Sequence, residues 1–286
     1  MADRFVAASA GPVLALLAER FPEWHKNTLR ERVRLGCVEV NGAAVLRHDH
    51  PVAAGDEVTI LAKADATPDR RRASALPVLF EDEDLIAIDK PAGLLSVASD
   101  DERTRTALAV VREQVGRGGP RGALWPAHRL DRETSGVLLF AKSREVLDAV
   151  QAAWPDVRKV YAAVVEGVPE PPVGEVDLPL REDRGLFVRA GRHPDAKPAR
   201  TRYRTLEAGR GRTLLEVELD TGRKHQIRVH LATIGYPVVG DDRYGARAPR
   251  LCLHAARLEL RHPKTGLPIV IEAPMPAAMR TALAAR

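Results

Sequence analysis

The feature of the sequence that most constrains its fold is a polar stretch that changes abruptly into an apolar one. Residues 128–136 read His-Arg-Leu-Asp-Arg-Glu-Thr-Ser-Gly, and residues 137–141 read Val-Leu-Leu-Phe-Ala. A short run of β-favouring residues after a Thr-Ser-Gly break is typical of a buried strand. We therefore predict that the charged residues lie on a loop at the edge of this strand.

Asp131 lies on this loop. Arg129 stands two positions before it, and Arg132 follows it directly. Neighbouring positive charge favours the ionised form of a carboxylate, and an ionised, positioned carboxylate can act as a nucleophile. A structural ion-pair cluster at the start of the strand is the alternative, because such clusters are common in proteins. Local chemistry alone leaves both interpretations open.

The same residues resemble the signature of the RluA-type pseudouridine synthases, in which His-Arg-Leu-Asp is followed by Thr-Ser-Gly. His128 distinguishes this match from the related RsuA-type synthases, which carry Gly at the corresponding position. The resemblance continues in the family's order between residue 78 and about residue 275. The further matching segments are 89–94, 159–167, 197–203, 221–231, 235–241 and 253–255. Seven matches in order make a chance resemblance implausible.

The resemblance implies an α+β pseudouridine synthase fold, with a long mixed, mostly antiparallel sheet and a central cleft. It implies isomerisation of uridine to pseudouridine in RNA, a reaction that needs no redox cofactor. Asp131 would be the catalytic aspartate and Arg228 its ion-pair partner. Tyr161 would be the aromatic residue that stacks on the target base and that could assist removal of the proton at C5. Arg129 would contact the RNA backbone or fill the space left by the flipped nucleotide. The other expected substrate-binding residues here are His128 and Arg223.

The pattern around Arg228 predicts a helix that begins after Thr221-Gly222. Ile227, Leu231 and Ile234 would share one face of this helix. Arg228 lies next to that face, so its guanidinium would be half-buried and would need an anion. We expect Asp131 to be that anion, with a surface arginine as the alternative.

The N-terminal 62 residues have a pattern of their own. They predict a helix over residues 12–21, a second helix from an Asn27 cap to about Leu35, and a small sheet that includes a hairpin at Asn41-Gly42. The order of helices, Val-x-Val-Asn-Gly and Gly-Asp-x-Val resembles the S4 RNA-binding domain. This resemblance implies that Arg30 and Arg34, four residues apart on one helix face, meet the RNA backbone, with Lys26 nearby. An ordinary solvated helix is the alternative.

The predicted organisation is therefore an S4-like domain over residues 1–62, a linker over residues 63–75 and a catalytic domain over residues 76–286. The linker is polar, basic and contains Pro68, which suits a tether. The chain carries 44 Lys and Arg against 39 Asp and Glu, a net charge of +5. Such a balance suits a polyanionic partner without requiring one.

Cys37 and Cys252 are far apart and lack metal or redox spacing, which favours a reduced, cytoplasmic protein. No run approaches the roughly 18 apolar residues of a membrane span, and we expect a monomer. A metal site is not expected, because the histidines and aspartates available for one lack ligand spacing. They are His128, His225, His230, Asp241 and Asp242.

The RNA target is less defined than the reaction. Ribosomal RNA of the large subunit is our first expectation, because S4 domains commonly accompany synthases that act on it, and transfer RNA is the second. Residues 96–98, Lys224 and Tyr236 depart from frequent family choices, which bears on the target. Two other classes stay open: a non-catalytic RNA-binding or ribosome-assembly factor, and a carboxylate-dependent nucleoside hydrolase that releases uracil.

Overall fold

A computed structural model of the chain describes residues 3–34, 36–45, 47–61, 75–98, 106–116, 123–183 and 185–285. The chain divides into two compact units, Met1–Ala75 and Leu76–Arg286. The linker predicted at residues 63–75 falls almost entirely on residues 62–74, which lie outside the described ranges.

The described residues of the first unit form two helices and a small antiparallel sheet. Four of its strands pair in the order β1-β6-β3-β4, and β2 pairs with β5. The elements are β1 Asp3–Val6, β2 Gly11–Pro12, α1 Val13–Arg20, α2 Lys26–Arg34, β3 Val38–Val40, β4 Ala43–Val45, β5 Pro51–Val52 and β6 Glu57–Ile60.

Local sequence signals account for most of this unit. Asn41 and Gly42 both have positive φ angles, 52° and 78°, as a two-residue hairpin turn of type I′ requires. Gly36, at φ 68°, follows the second helix. That helix begins at Lys26, which puts its N-cap at His25, so the predicted cap at Asn27 is wrong by two residues. Strand β1, at the edge of the sheet, was not predicted.

The described part of the second unit contains one large sheet, a separate sheet of two short strands, and helices. Its strands are β7 Val78–Glu81, β8 Leu85–Lys90, β9 Trp125–Pro126, β10 Ser135–Ala141, β11 Arg158–Glu166, β12 Val173–Asp177, β13 Leu180–Glu182, β14 Val188–Ala190, β15 Arg200–Ala208, β16 Arg212–Leu219, β17 Leu253–Arg261 and β18 Pro268–Glu272. Its helices are α3 Ala107–Gly116, α4 Arg144–Ala152, α5 Gln226–Thr233 and α6 Ala277–Ala284.

Ten of the described strands form the large sheet, in the order β12-β15-β16-β11-β17-β10-β8-β7, with β18 beside β17 and β9 beside β10. Within the described residues, β10 and β17 are parallel and every other pair in the sheet is antiparallel. The expectation of an α+β fold with a mixed, mostly antiparallel sheet is confirmed.

The parallel pair forms a short seam in the middle of the sheet. It contains two residue pairs, Ser135 with His254 and Gly136 with Ala255. Beyond them β10 continues beside β8, and β17 pairs with β18 instead. A Cβ atom on Gly136, at φ 112°, would lie 2.2 Å from the carbonyl oxygen of Ala255, so the close approach at the seam requires glycine.

Each side of the seam has its own core. On one side, Ile227 and Leu231 of α5 pack with Leu215 of β16 and Met279 of α6. On the other side, Leu139 of β10 and the apolar face of α4 form a second cluster. The predicted apolar face of α5 is therefore confirmed, and the helix is anchored beside the cleft that the seam opens.

Candidate active site

The loop that carries Asp131 is held by a buried lysine. Lys90, at the end of β8, is fully buried, and its ammonium group donates to three backbone carbonyls: Pro91 at 3.0 Å, Leu94 at 2.7 Å and Arg132 at 3.1 Å. Burial lowers the pKa of Lys90 to about 8, while the three acceptors replace the water that the ammonium has lost. The carbonyl of Arg132 ties the loop at the residue after Asp131.

Ser96 ties the same loop on the other side of Asp131. Its buried hydroxyl donates to the carbonyl of Leu130 at 2.8 Å and accepts from the Leu130 N–H at 2.9 Å. The Thr134 N–H donates to the carbonyl of Asp131 at 3.1 Å, closing a turn. The backbone of Asp131 is thus fixed on both sides, and its side chain is 26% exposed.

The side chain nearest to Arg228 is Asp241, a residue that we had considered only as a possible metal ligand. Arg228 Nε and Nη2 donate to the two carboxylate oxygens of Asp241 at 2.7 Å each. Asp131 Oδ2 lies 3.8 Å from Arg228 Nη1. The predicted pair of Arg228 with Asp131 therefore exists as a longer ionic contact, and the hydrogen-bonded partner is Asp241. Sequence reasoning missed it because no pattern relates two charged residues across a turn.

Asp241 is fully buried and its carboxylate is saturated with donors. Oδ1 also accepts the backbone N–H groups of Arg243 and Tyr244 at 3.1 Å each. Burial by itself would raise the pKa of Asp241, but the hydrogen bonds and charge of Arg228 lower it. Burial likewise opposes the charge on Arg228, and the hydrogen bonds to Asp241 raise its pKa. Both groups stay charged, so Arg228 presents a fixed cation to Asp131.

His225 is a second group beside Asp131. Its Nε2 lies 3.8 Å from Asp131 Oδ2, and its Nδ1 lies 2.9 Å from the hydroxyl of Tyr244. Burial lowers the pKa of His225, although the carboxylate of Asp131 acts in the opposite direction. The imidazole is therefore neutral at neutral pH. His225 stands within the matched segment 221–231, which is the signal that could have identified it.

Tyr161 lies on β11 beside the seam, where its register partner is Ala255 of β17. The ladder shifts between Val160 and Tyr161, and such a bulge changes the direction of a side chain. Burial and the carboxylate of Asp131 both raise the pKa of Tyr161. The phenol therefore stays protonated, and it offers an aromatic face and a hydroxyl donor rather than a phenolate base.

The other predicted site residues in this unit lie in different surroundings. His128 stacks on Trp154 with 4.9 Å between ring centroids, and its Nε2 accepts the Leu139 N–H at 3.2 Å. Burial lowers the pKa of His128 to about 4, so it is a neutral, internally bonded group on the wall of the cleft. Arg129 and Arg223 are exposed, and Arg223 Nε donates to the carbonyl of Pro198 at 3.2 Å.

The predicted basic face of the first unit is described in part. Arg30 lies within helix α2, and its side chain is exposed. The side chain of Arg34 lies outside the described residues. The phosphate contacts expected of this face stay a prediction.

Three adjoining cavities open around these residues. One of about 90 Å³ is lined by Asp131, Tyr161, His225 and Arg228, among others. A second, of about 390 Å³, extends from Asp131 past Arg132 and Arg243. A third, of about 240 Å³, is lined by His128, Trp154, Lys159 and Tyr161, among others. Arg129 lines all three, so it stands where they meet.

The charges around the cleft differ from those on the outer strands. Arg200, Arg202 and Arg204 on β15 each form an ion pair with a neighbouring carboxylate. In the described part of the chain, four exposed arginines that line the cavities form no ion pair within 4 Å: Arg129, Arg132, Arg223 and Arg243. They outnumber the exposed carboxylates of the same rim, Glu133 and Asp242. The mouth of the cleft is therefore positive.

Asp131 itself has no close contact with the flanking arginines. Among the described residues, its ion pair is the one with Arg228 Nη1, and the neutral His225 ring lies at the same distance of 3.8 Å. Arg129 and Arg132, which flank Asp131 in the sequence, are both exposed and form no ion pair with it. Within the described ranges no three His, Cys, Asp or Glu side chains are grouped as a metal site. None of the described helices is long and apolar enough to cross a membrane.

Comparison with known proteins places this site in a family. The family model described as RNA pseudouridylate synthase matches residues 84–233. Ribosomal large subunit pseudouridine synthase D of Nitrosomonas europaea is 36% identical over 94% of this chain and 82% of the relative. The protein of the same name from Pseudomonas aeruginosa is 34% identical over 91% and 87%. The structure of human RNA Pseudouridylate Synthase Domain Containing 4 superposes with a TM-score of 0.61 and 26% identity, over 72% of this chain and 91% of that one.

Proposed function

The chain belongs to the RNA pseudouridylate synthase family, and we propose that it isomerises specific uridines of large-subunit ribosomal RNA with Asp131 as the catalytic carboxylate. The reaction breaks the bond from ribose C1′ to uracil N1 and forms a bond from C1′ to C5. A proton leaves C5 and a proton arrives at N1, so atoms and charge balance without a redox partner. The single observation that carries the residue assignment is the fixed loop that places Asp131 between Arg228 and His225.

Asp131 is suited to a charged role because its nearest side chains favour an anion. Arg228 supplies a permanent positive charge at 3.8 Å, and it is itself held by Asp241 rather than by Asp131. The catalytic carboxylate is therefore near a cation but free of a bidentate bond that would occupy both of its oxygens. Addition to the uracil ring, attack at C1′ and removal of a ribose proton all require a carboxylate in this condition.

Tyr161 is proposed to stack on the target uracil, since aromatic faces bind unstacked bases in RNA-binding proteins. Its raised pKa makes the phenol a poor proton acceptor at neutral pH. We therefore assign it to holding the uracil, and not to removing the C5 proton as a phenolate. Arg129, at the junction of the cavities, is proposed to replace the flipped nucleotide or to contact its backbone.

The positive rim of the cleft supports an RNA substrate. Arginines without carboxylate partners are available to phosphate oxygens, and each phosphate contact adds sequence-independent affinity. The arginines of β15 are paired with carboxylates and are therefore less available to phosphates. Arg223 and Arg132, which line different cavities of the cleft, are the clearest candidates.

The first unit is proposed to be an S4-like RNA-binding domain over residues 1–62, with Arg30 and Arg34 on phosphates. Ribosomal RNA is favoured over transfer RNA because the Nitrosomonas and Pseudomonas relatives, which match over most of their length, carry names of ribosomal large subunit enzymes. Cys37 and Cys252 are both buried thiols, which suits a reducing cytoplasm. The monomeric state stays a prediction.

The assignment of Asp131 is tested with Asp131→Asn, which keeps the volume and removes the charge. We expect less than one per cent of the wild-type single-turnover rate, a loss of about 3 kcal/mol in transition-state stabilisation, with RNA affinity nearly unchanged. Glu133→Gln is the matched control on the same loop and should keep its rate. Activity of Asp131→Asn above one per cent would remove Asp131 from the chemistry.

The target is tested by mapping pseudouridine across total RNA from cells with and without the gene. Loss of modification at large-subunit ribosomal positions supports the proposal. Loss confined to transfer RNA would replace the ribosomal target by the transfer RNA one. Release of free uracil from the purified reaction would indicate a hydrolase.

A further inference from the structure

We propose that Tyr244 and His225 form a hydrogen-bonded relay that directs the His225 Nε2–H at Asp131, which makes His225 a positioning residue for the catalytic carboxylate. This inference rests on the proposed role of Asp131. The catalytic loop alone does not predict it, because both relay residues lie about a hundred residues further along the chain.

The relay begins at a backbone donor. The Val188 N–H of β14 donates to the hydroxyl oxygen of Tyr244 at 3.1 Å. His225 Nδ1 lies 2.9 Å from the same oxygen. Within the described residues, Nδ1 is the one acceptor within reach of the Tyr244 O–H proton. Donation from Tyr244 to Nδ1 therefore gives every group in the chain of hydrogen bonds a partner.

This arrangement fixes the tautomer of His225. A neutral imidazole carries one N–H, and burial keeps His225 neutral. With Nδ1 accepting from Tyr244, the proton resides on Nε2, which is the nitrogen 3.8 Å from Asp131 Oδ2. A closer approach of roughly 1 Å would make a hydrogen bond of ordinary length. Catalytic hydrogen bonds commonly tighten when substrate binds.

The backbone of His225 indicates that its place is enforced. Its φ angle is 54°, a left-handed conformation at the start of α5 that is strained for a non-glycine residue. The adjacent Gln226 holds the turn, because its side-chain oxygen accepts from the Thr221 hydroxyl at 2.8 Å and the Arg223 N–H at 3.0 Å. The same turn brings Arg228 onto the side of the helix that faces Asp131.

Other charged groups around His225 do not replace the relay. Asp131 and Arg228 face it from the catalytic loop and α5, and Lys224 and Arg243 lie on the outer side. Lys224 is paired with Glu182, and Arg243 Nη1 donates to the carbonyl of Leu186. Asp131 is the carboxylate that Nε2 approaches within 4 Å among the described residues.

The first test measures the tautomer by ¹⁵N NMR of histidine-labelled full-length protein without RNA. We expect the His225 signals of the Nε2–H form in the wild type, with the unprotonated Nδ1 shifted upfield by the hydrogen bond it accepts, and a downfield shift of that Nδ1 signal in Tyr244→Phe. The phenylalanine keeps the aromatic ring beside Arg228, whose Cζ lies 5.3 Å from the centroid of the Tyr244 ring. An Nδ1–H form of His225 in the wild type, or an Nδ1 signal that is unchanged in Tyr244→Phe, would overturn the relay. This measurement needs no activity, so it stands apart from the outcome for Asp131→Asn.

The second test measures single-turnover rates and RNA affinity. Tyr244→Phe should lose about five- to tenfold in rate, with affinity changed less than twofold. His225→Gln carries an amide N–H near the place of Nε2 and should keep several-fold more activity than His225→Met, which has a similar shape and no N–H. The double variant of Tyr244→Phe and His225→Met should be no slower than His225→Met alone, because Tyr244 acts through His225.

Three kinetic results would contradict the relay. They are equal rates for His225→Gln and His225→Met, a Tyr244→Phe rate within twofold of the wild type, and multiplicative losses in the double variant. Melting temperatures of all four variants are measured in parallel. A rate loss that appears only in proportion to lost folded protein would reduce His225 to a structural residue and overturn the proposal as well.

Discussion

Removing the charge of Asp241 is the perturbation that separates the two aspartates around Arg228. In Asp241→Asn one oxygen becomes an amide NH₂ group, which faces an arginine donor and cannot accept from it. Arg228 would keep its charge and its burial and would lose a bidentate partner at 2.7 Å. Breaking a buried pair by changing one member costs about 3 to 5 kcal/mol, because the other charge is left uncompensated.

A new contact between Arg228 and Asp131 would recover part of this free energy, and it would lower the catalytic rate. Arg228 Nη1 is already 3.8 Å from Asp131, so a small rotation would give the guanidinium a new partner. We therefore expect the unfolding free energy to fall by about 3 kcal/mol, at the low end of the range. The single-turnover rate should fall at least tenfold, because the catalytic carboxylate becomes the new partner.

Urea denaturation of the full chain measures the first quantity, and single-turnover kinetics under conditions where the variant is folded measures the second. Asp242→Asn is the matched control. Its carboxylate is the next in sequence, lies 4.0 Å from Arg228 Nη2 and is 70% exposed, so its loss should cost no more than about 0.5 kcal/mol. A loss below about 1 kcal/mol in Asp241→Asn, or an unchanged rate, would refute this account of Arg228.

Three further outcomes follow from the geometry. Gly136→Ala should lower the unfolding free energy by about 3 kcal/mol or more, since its Cβ would meet a backbone oxygen at 2.2 Å. Gly222→Ala, with open space around it, is the control. Equal urea midpoints for the two variants would disprove the clash. Because the pKa of His128 falls from 6.5 to about 4 on folding, the unfolded state binds the extra proton, and stability should drop by about 3 kcal/mol as pH falls from 6.5 to 4. His128→Gln should flatten this part of the urea-monitored pH profile, and an unchanged slope would contradict the assignment. Replacing Arg132 and Arg223 together by Gln should lower the log-log salt slope of RNA binding by up to about two; an unchanged slope would place the phosphates elsewhere.

The parts that sequence predicted are those that local chemistry determines. The Asn41-Gly42 turn needs two positive φ angles and has them. The apolar residues of α5 repeat at helical spacing, so its buried face and the neighbouring burial of Arg228 could be predicted before any contact was known. The signature loop before a buried strand is local in the same sense.

The partners of the charged residues were not predictable in this way. Asp131 was the expected anion of Arg228, and the pairing with Asp241 depends on a turn after α5 that brings residue 241 to within 2.7 Å. His128 was assigned to substrate from its place in the signature, yet its ring is bound to Trp154 and Leu139. Nothing in the local sequence indicates that the stacking partner lies 26 residues downstream.

Ser135 and Gly136, at the end of the signature, stabilise the sheet, whereas Asp131, nearer its start, lies in the candidate active site. Ser135 accepts from Arg250 Nη2 at 3.0 Å and donates to His254 Nδ1 at 2.9 Å, and His254 Nε2 donates to the carbonyl of Ala273 at 3.2 Å. These bonds strengthen a parallel seam of two residue pairs that Gly136 allows to close. Since the seam is short, the strands separate immediately beyond it and leave the cleft open. Asp131, four residues before Ser135, is thereby held at the point where the two halves of the sheet part.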